Sequence, residues 1–243
     1  SIDCPSVFAL SISDASLVAS AMFANDSLDP SLREDVGRAR FSPDSHSSIK
    51  KVFVPNDKLL NFFGNHQGEN MYRNFLLDLN DSDLEVVAFD FEPFLEAGKL
   101  LFDGPFLADR YASIGLFLEE HQNDVLDSTF SVVSQSRRWS AHDVFKAFEQ
   151  VKELKAYARH LLGSDAIFAF PTIGPLYTIA QLLDDPIALN TNIGYYSYFA
   201  NILDLAALSV PLDFHDNGMP FGITLMGRAF ADAALSGFAQ SSL

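Results

Sequence analysis

Apolar positions repeat along this chain with two different periods, and together they predict alternating helices and strands. In "SAHDVFKAFEQVKELKAYARHLLG", Val144, Phe148, Val151, Leu154, Ala158 and Leu161 recur three or four apart, as on one face of a helix. Ser140 and Asp143 form an S-x-x-D capping box ahead of it, and Gly163 is placed to end it. The next stretch, "AIFAFPT", is continuously apolar and stops at Pro171, so it reads as a buried strand. "KVFVP" is a short strand, and "LEVVAFD" at 84–90 reads as a second buried one. Helices are expected at 69–80, 91–102 and 106–120. Near the N-terminus, Leu17, Val18, Ala21 and Met22 predict a helix capped by Ser13 or Asp14 and stopped by Asp29-Pro30. Residues 31–50 are charged and Ser-rich, and read as an exposed connection.

After Pro171 the pattern predicts a long loop and a helix around 196–207. Strands "LSVPLDF" and "PFGITLMG" follow, joined by a turn at Asp216-Asn217-Gly218, with a last helix from near Phe230. Strands alternating with helices of this length predict an α/β layered fold with a mainly parallel or mixed sheet. No internal repeat or flexible linker divides the chain.

Composition narrows the functional classes. Hydrophobic residues make up 48% of the 243, with 23 Phe, enough for a large core. The formal charge of -16 opposes nucleic acid and anionic lipid, which need a basic footprint. No run approaches the length of a membrane span. A single cysteine, Cys4, precludes an internal disulfide and suits a reducing, cytoplasmic setting. Cys4 itself reads as a small buried hydrophobe. The N-terminus lacks both the basic region of a signal peptide and an initiator Met, and is expected to lie inside a longer protein.

Familiar chemical signatures are missing: no HExxH, CxxC, GxGxxG, phosphate-binding loop or GxSxG elbow. His46, His66, His121, His142, His160 and His215 are scattered without metal-ligand spacing, and His142 reads as part of a solvated helix face. Asp184-Asp185 and Glu119-Glu120 read as solvated carboxylates. One residue stands out. Arg110 lies within "LFDGPFLADRYASIGLF", a strongly apolar stretch. A guanidinium there has three readings: an ion pair with a nearby acid, a snorkelling surface side chain, or a fork for an anionic ligand.

The strand ending Pro171-Thr172, Asp185-Pro186 followed by Ala188-Leu189-Asn190, the run Asn201 to Leu205, and Gly218-Met219-Pro220-Phe221-Gly222 together resemble the C-terminal part of the amidase domain of allophanate hydrolases, in the amidase signature family. "SIDCPSVFAL" resembles the segment after that family's nucleophile loop, and "GPFLADRYASI" its substrate-binding segment. The resemblance implies that residues 1–243 are the C-terminal part of one amidase domain, an incomplete mixed β-sheet covered by helices. It further implies amide hydrolysis by a Ser-Ser-Lys relay without metal or organic cofactor. That relay and its Gly-rich loop would lie upstream, since the chain contains no Gly-Gly pair, so no catalytic residue is assigned here.

In the family, a tyrosine and an arginine eight residues apart bind the substrate carboxylate. Arg110 matches the arginine and Phe102 stands at the tyrosine position. With Thr172 and Tyr177, they are the substrate-binding residues the resemblance implies. Asn201 and Asp204 read as polar residues holding a loop. The implied partners are a small anionic amide, the N-terminal half of the amidase domain, and a second copy in a homodimer. Two alternatives stay open: an amidase for another small amide, and a non-catalytic relative.

Overall fold

The computed structural model describes residues 4–24, 26, 28–29, 32–33, 35–43 and 49–242, without the side chain of Val36. Helix α1, Ile12–Met22, is followed by strand β1, Lys51–Pro55, helix α2, His66–Asn80, and strand β2, Glu85–Phe89. Helices α3, Glu92–Phe102, α4, Leu107–Glu120, α5, Asp127–Ser134, and α6, Ala141–Leu162, precede strand β3, Ala166–Pro171. Two short helices, α7 at Ile179–Asp184 and α8 at Ala188–Ile193, lead to the hairpin β4, Leu205–Phe214, and β5, Pro220–Arg228. Helix α9, Asp232–Ser242, comes last.

The sheet order is β2-β1-β3-β5-β4. β1 runs parallel to β2 and β3, while β5 is antiparallel to both β3 and β4. This is the mixed sheet expected. Side chains alternate across it, as strand geometry requires. Phe53, Phe89, Phe168 and Phe170 face a core shared with α3, α6 and Phe199. Val52, Val54, Ile167 and Ala169 face a second core with Tyr72 and Phe75 of α2 and Leu235 and Phe238 of α9. β3 is buried along its whole length, so both faces must be apolar, and "AIFAFP" meets that demand without any alternation.

Several expectations need correction. Ser11 caps α1: its backbone is extended and its Oγ accepts from the Asp14 N–H at 3.1 Å, leaving Ser13 and Asp14 inside the helix. The helix ends at Met22, well before Asp29; Pro30 and His46 lie outside the described residues. Cys4 is exposed. β2 is an edge strand and only its last residue, Phe89, is buried. On α6, Ala147, Val151, Ala158 and Leu162 are buried, whereas Phe148 is 47% exposed. The residues between α4 and α6 hold α5, which the periodicity did not suggest.

The helix expected at 196–207 is absent: residues 194–204 form successive turns. Two facts explain this. Asp204 has φ 62°, a left-handed conformation that a helix cannot propagate, and Leu205 already pairs with Arg228 in the β4–β5 ladder. The hairpin itself contains a close backbone approach at Gly222. A Cβ there would lie 2.6 Å from the Val210 carbonyl oxygen, next to a bulge between Pro211 and Asp213.

Candidate anion-binding site

The turn between α3 and α4 turns the chain back on itself. Gly104 packs against the last turn of α3, where a Cβ would sit 2.5 Å from the Leu100 carbonyl oxygen, and the Phe106 N–H donates to that same oxygen. This reversal lays Arg110, on the first turn of α4, over the end of α3. Its Nη1 donates to the Leu101 carbonyl at 2.9 Å. The last carbonyls of a helix lack intrahelical donors and carry partial negative charge, so the contact satisfies one of them and favours the cation. The guanidinium carbon lies 4.6 Å from the Phe102 ring centroid, a cation–π distance.

Arg110 is half-buried, and burial pulls its pKa below the ordinary guanidinium value, with the charge of Asp109 opposing the shift. It remains charged at any working pH. Among the described residues no carboxylate lies within ion-pairing distance of it, which removes the ion-pair reading. One neutral acceptor and one ring serve a group with five N–H donors. A planar carboxylate is the ligand that such a fork accommodates.

Phe102, the last residue of α3, stacks on Tyr198 with centroids 4.1 Å apart and planes 30° apart. The Tyr198 hydroxyl donates to the Asn190 carbonyl of α8 at 2.5 Å. Two residues further along α8, Asn192 Nδ2 donates to the Tyr177 hydroxyl at 2.9 Å. Arg110, Phe102 and Tyr177 are therefore joined through Tyr198 and α8. Thr172 is held elsewhere. Its N–H donates to the Gly222 carbonyl at 2.9 Å and its Oγ1 accepts from Thr224 Oγ1 at 3.0 Å, in a row of hydroxyls that continues to Ser209. No hydrogen bond or ring contact connects that row to Arg110 among the described residues.

The loop at the C-terminal end of β1 is fixed by the turn segment at 194–204. The Tyr196 hydroxyl accepts from the Asn61 N–H at 2.7 Å and donates to the Asn61 carbonyl at 3.0 Å, while Tyr195 donates to the Leu59 carbonyl. His215 is buried, with Nε2 3.1 Å from Asn65 Oδ1, and Asn65 in turn donates to the Gly174 carbonyl. Asp204 pairs with Arg33 at 2.5 Å, the loop-holding role expected for it. Sequence reasoning missed Tyr198, Tyr195 and Tyr196. Their signal was present in "GYYSYF", an aromatic run too dense for an exposed helix face, but from Tyr196 onward it fell inside the expected helix. Two surface clefts, of about 490 and 280 Å³, are lined by neither Arg110, Phe102, Thr172 nor Tyr177.

The sequence matches the amidase family over residues 1–235. It is 32% identical to a urea amidolyase of Saccharomyces cerevisiae over 97% of this chain and 13% of that protein. Among solved structures, the urea amidolyase of Kluyveromyces lactis superposes with a TM-score of 0.82 at 26% identity, over 95% of this chain and 14% of the other. An allophanate hydrolase of Kluyveromyces lactis gives a TM-score of 0.79 at 27% identity, over 95% of this chain and 38% of the other. The chain thus spans a minor part of the length of each of these relatives.

Proposed function

Because this chain belongs to the amidase family, we propose that it is the substrate-binding, C-terminal part of an allophanate-hydrolase-like amidase acting on a small carboxylated urea. The observation that carries this reading is Arg110: a half-buried guanidinium with one carbonyl and one aromatic face as partners. Allophanate is a planar anion. On a chain of net charge -16, a small anion needs a local fixed cation to overcome the general repulsion. In this reading the fork of Arg110 binds the carboxylate and Phe102 lies beside it, while Tyr177, joined to them through α8 and Tyr198, and Thr172, held apart in the hydroxyl row, are the other residues proposed to meet the substrate.

The chemistry would come from a Ser-Ser-Lys relay on the N-terminal half of the amidase domain. Its serine attacks the terminal carbonyl carbon, the C–N bond breaks, and ammonia leaves with a proton from the relay. Water then cleaves the acyl-serine. Neither metal nor organic cofactor takes part, and the reaction belongs in the cytoplasm. In this reading the present chain binds and orients; it does not supply the nucleophile.

The test is kcat/KM with allophanate and with biuret, its neutral amide analogue, in the chain paired with an amidase N-terminal half. Arg110→Ala is expected to lower kcat/KM for allophanate roughly 10- to 150-fold, the worth of ~1.5–3 kcal/mol for a hydrogen bond to a charged group. Biuret should be unaffected. An equal loss on both substrates would show that Arg110 only holds α3 to α4. Phe102 favours a second reading, in which the pocket takes a less polar amide, because it withholds the hydroxyl that the family places beside the arginine.

A further inference from the structure

Tyr198 lies outside every residue assigned above, yet its seat is built with unusual care. Two glycines make room for it. A Cβ on Gly194 would lie 1.8 Å from Tyr198 Cε1, and one on Gly98 of α3 would lie 3.2 Å from Tyr198 Cβ. Neither glycine has a positive φ, so space around this ring, not backbone freedom, is what they provide. The ring then stacks on Phe102 at 4.1 Å, the ring over which the Arg110 guanidinium lies, and its hydroxyl is anchored on the Asn190 carbonyl. Burial raises the pKa of that hydroxyl, so it stays a neutral donor.

From this geometry we infer that Tyr198 is a positioning residue for the anion site: it holds the Phe102 ring over which the Arg110 guanidinium carbon lies at 4.6 Å, and so constrains the orientation of the fork. The inference rests on the carboxylate-binding role proposed for Arg110. The physical reason is directional. A guanidinium binds a carboxylate through two parallel N–H···O bonds, which requires the two planes to coincide. The single bond to Leu101 leaves the guanidinium free to swing about that contact. The ring face removes the freedom, and the Phe102 ring can do so only while it is itself clamped. Tyr198, tied to α8, is the clamp, and it supplies from a different element the rigidity that a hydrogen-bonded tyrosine at position 102 would bring.

Two variants test this in the chain paired with an amidase N-terminal half. Tyr198→Leu removes the stack and is expected to raise KM for allophanate roughly 2- to 30-fold, the worth of a cation–π contact. Tyr198→Phe keeps the ring and the fold while releasing the anchor, and should raise it roughly 2- to 10-fold, as for one hydrogen bond. In both, kcat for allophanate and the KM or Ki for biuret should stay within twofold. The inference is overturned if both variants leave allophanate KM unchanged, or if biuret is weakened equally. Arg110→Ala, run alongside, separates the two layers. If it penalises allophanate alone while the Tyr198 variants do not, positioning fails and the Arg110 reading stands. If it penalises both ligands equally, the two fall together.

Discussion

Arg110 and Phe102 pull the functional argument in opposite directions at the scale of single residues. The arginine is held over the end of α3 by one bond to Leu101 and by the Phe102 ring, which leaves further donors of its fork for a ligand in the reading proposed here. Phe102 contributes a face and no polar edge. Phe102→Tyr adds a donor beside the guanidinium without changing the stack on Tyr198. With allophanate as the physiological substrate, kcat/KM for allophanate should rise in this variant while that for biuret stays constant. A fall for allophanate would instead mark the pocket as adapted to a less polar amide. The unusual setting of Arg110 was legible in the sequence, because a permanent charge in a strongly apolar stretch demands an explanation. Tyr198 was not legible, since its role depends on two glycines about a hundred residues apart that meet only in the fold.

Elements with their own punctuation were read correctly. α6 begins at the Ser140–Asp143 capping box, in which the Asp143 N–H donates to Ser140 Oγ and the Ser140 N–H to Asp143 Oδ2. It ends at Gly163, with φ 50° and ψ -128°. That conformation is closed to side chains bearing a Cβ, although the space beside Gly163 is open, its nearest neighbour being Asp165 Oδ1 at 3.9 Å. The cost of substitution is therefore conformational. Gly163→Ala should destabilise the fold by about 1–3 kcal/mol, seen as a lower denaturation midpoint at unchanged slope. An unchanged midpoint would mean that the helix end relaxes freely. Where punctuation was weak, tertiary pairing decided. Residues 205–207 are apolar enough for either state, and the β5 ladder claims them as strand. β2 looked buried because its sequence is apolar, but sheet order leaves it at the edge.

Across the molecule, the layered α/β design followed from the alternation of periods, while the sheet order did not, because register between distant strands has no local signal. Among the described residues the sheet ends in β2 on one side and the ten-residue β4 on the other, with no further strand paired to either edge. Apolar side chains are also exposed in several places: Phe8, Leu10 and Leu17 near the N-terminus, Leu116 and Phe117 on α4, and Phe145 on α6. Helix α1 buries none of its residues. The isolated chain should therefore self-associate and release no ammonia from allophanate. Co-expression with an amidase N-terminal half should yield a discrete complex that does. Size-exclusion chromatography with light scattering and an ammonia assay check both outcomes; a monomeric isolated chain with turnover would overturn them.

The position of β3 also dictates an order of events during synthesis. β3 pairs with β1, which leaves the ribosome long before it, and the loop after β1 is tied down by Tyr196 across a separation of 135 residues. The β4–β5 hairpin closes over only 15 residues at Ser209 and Thr224. Loop-closure entropy makes the hairpin the easier, local closure and the central pairing the costlier one, although β3 emerges from the ribosome before the hairpin does. Until β3 emerges, α2 can cover one face of β1 and β2, but Phe53 and Phe89 on the other face lack Phe168 and Phe170, the centre of the core they pack into. The nascent chain is thus most exposed to misassociation over its first two-thirds, a stretch in which chaperone contact would matter most.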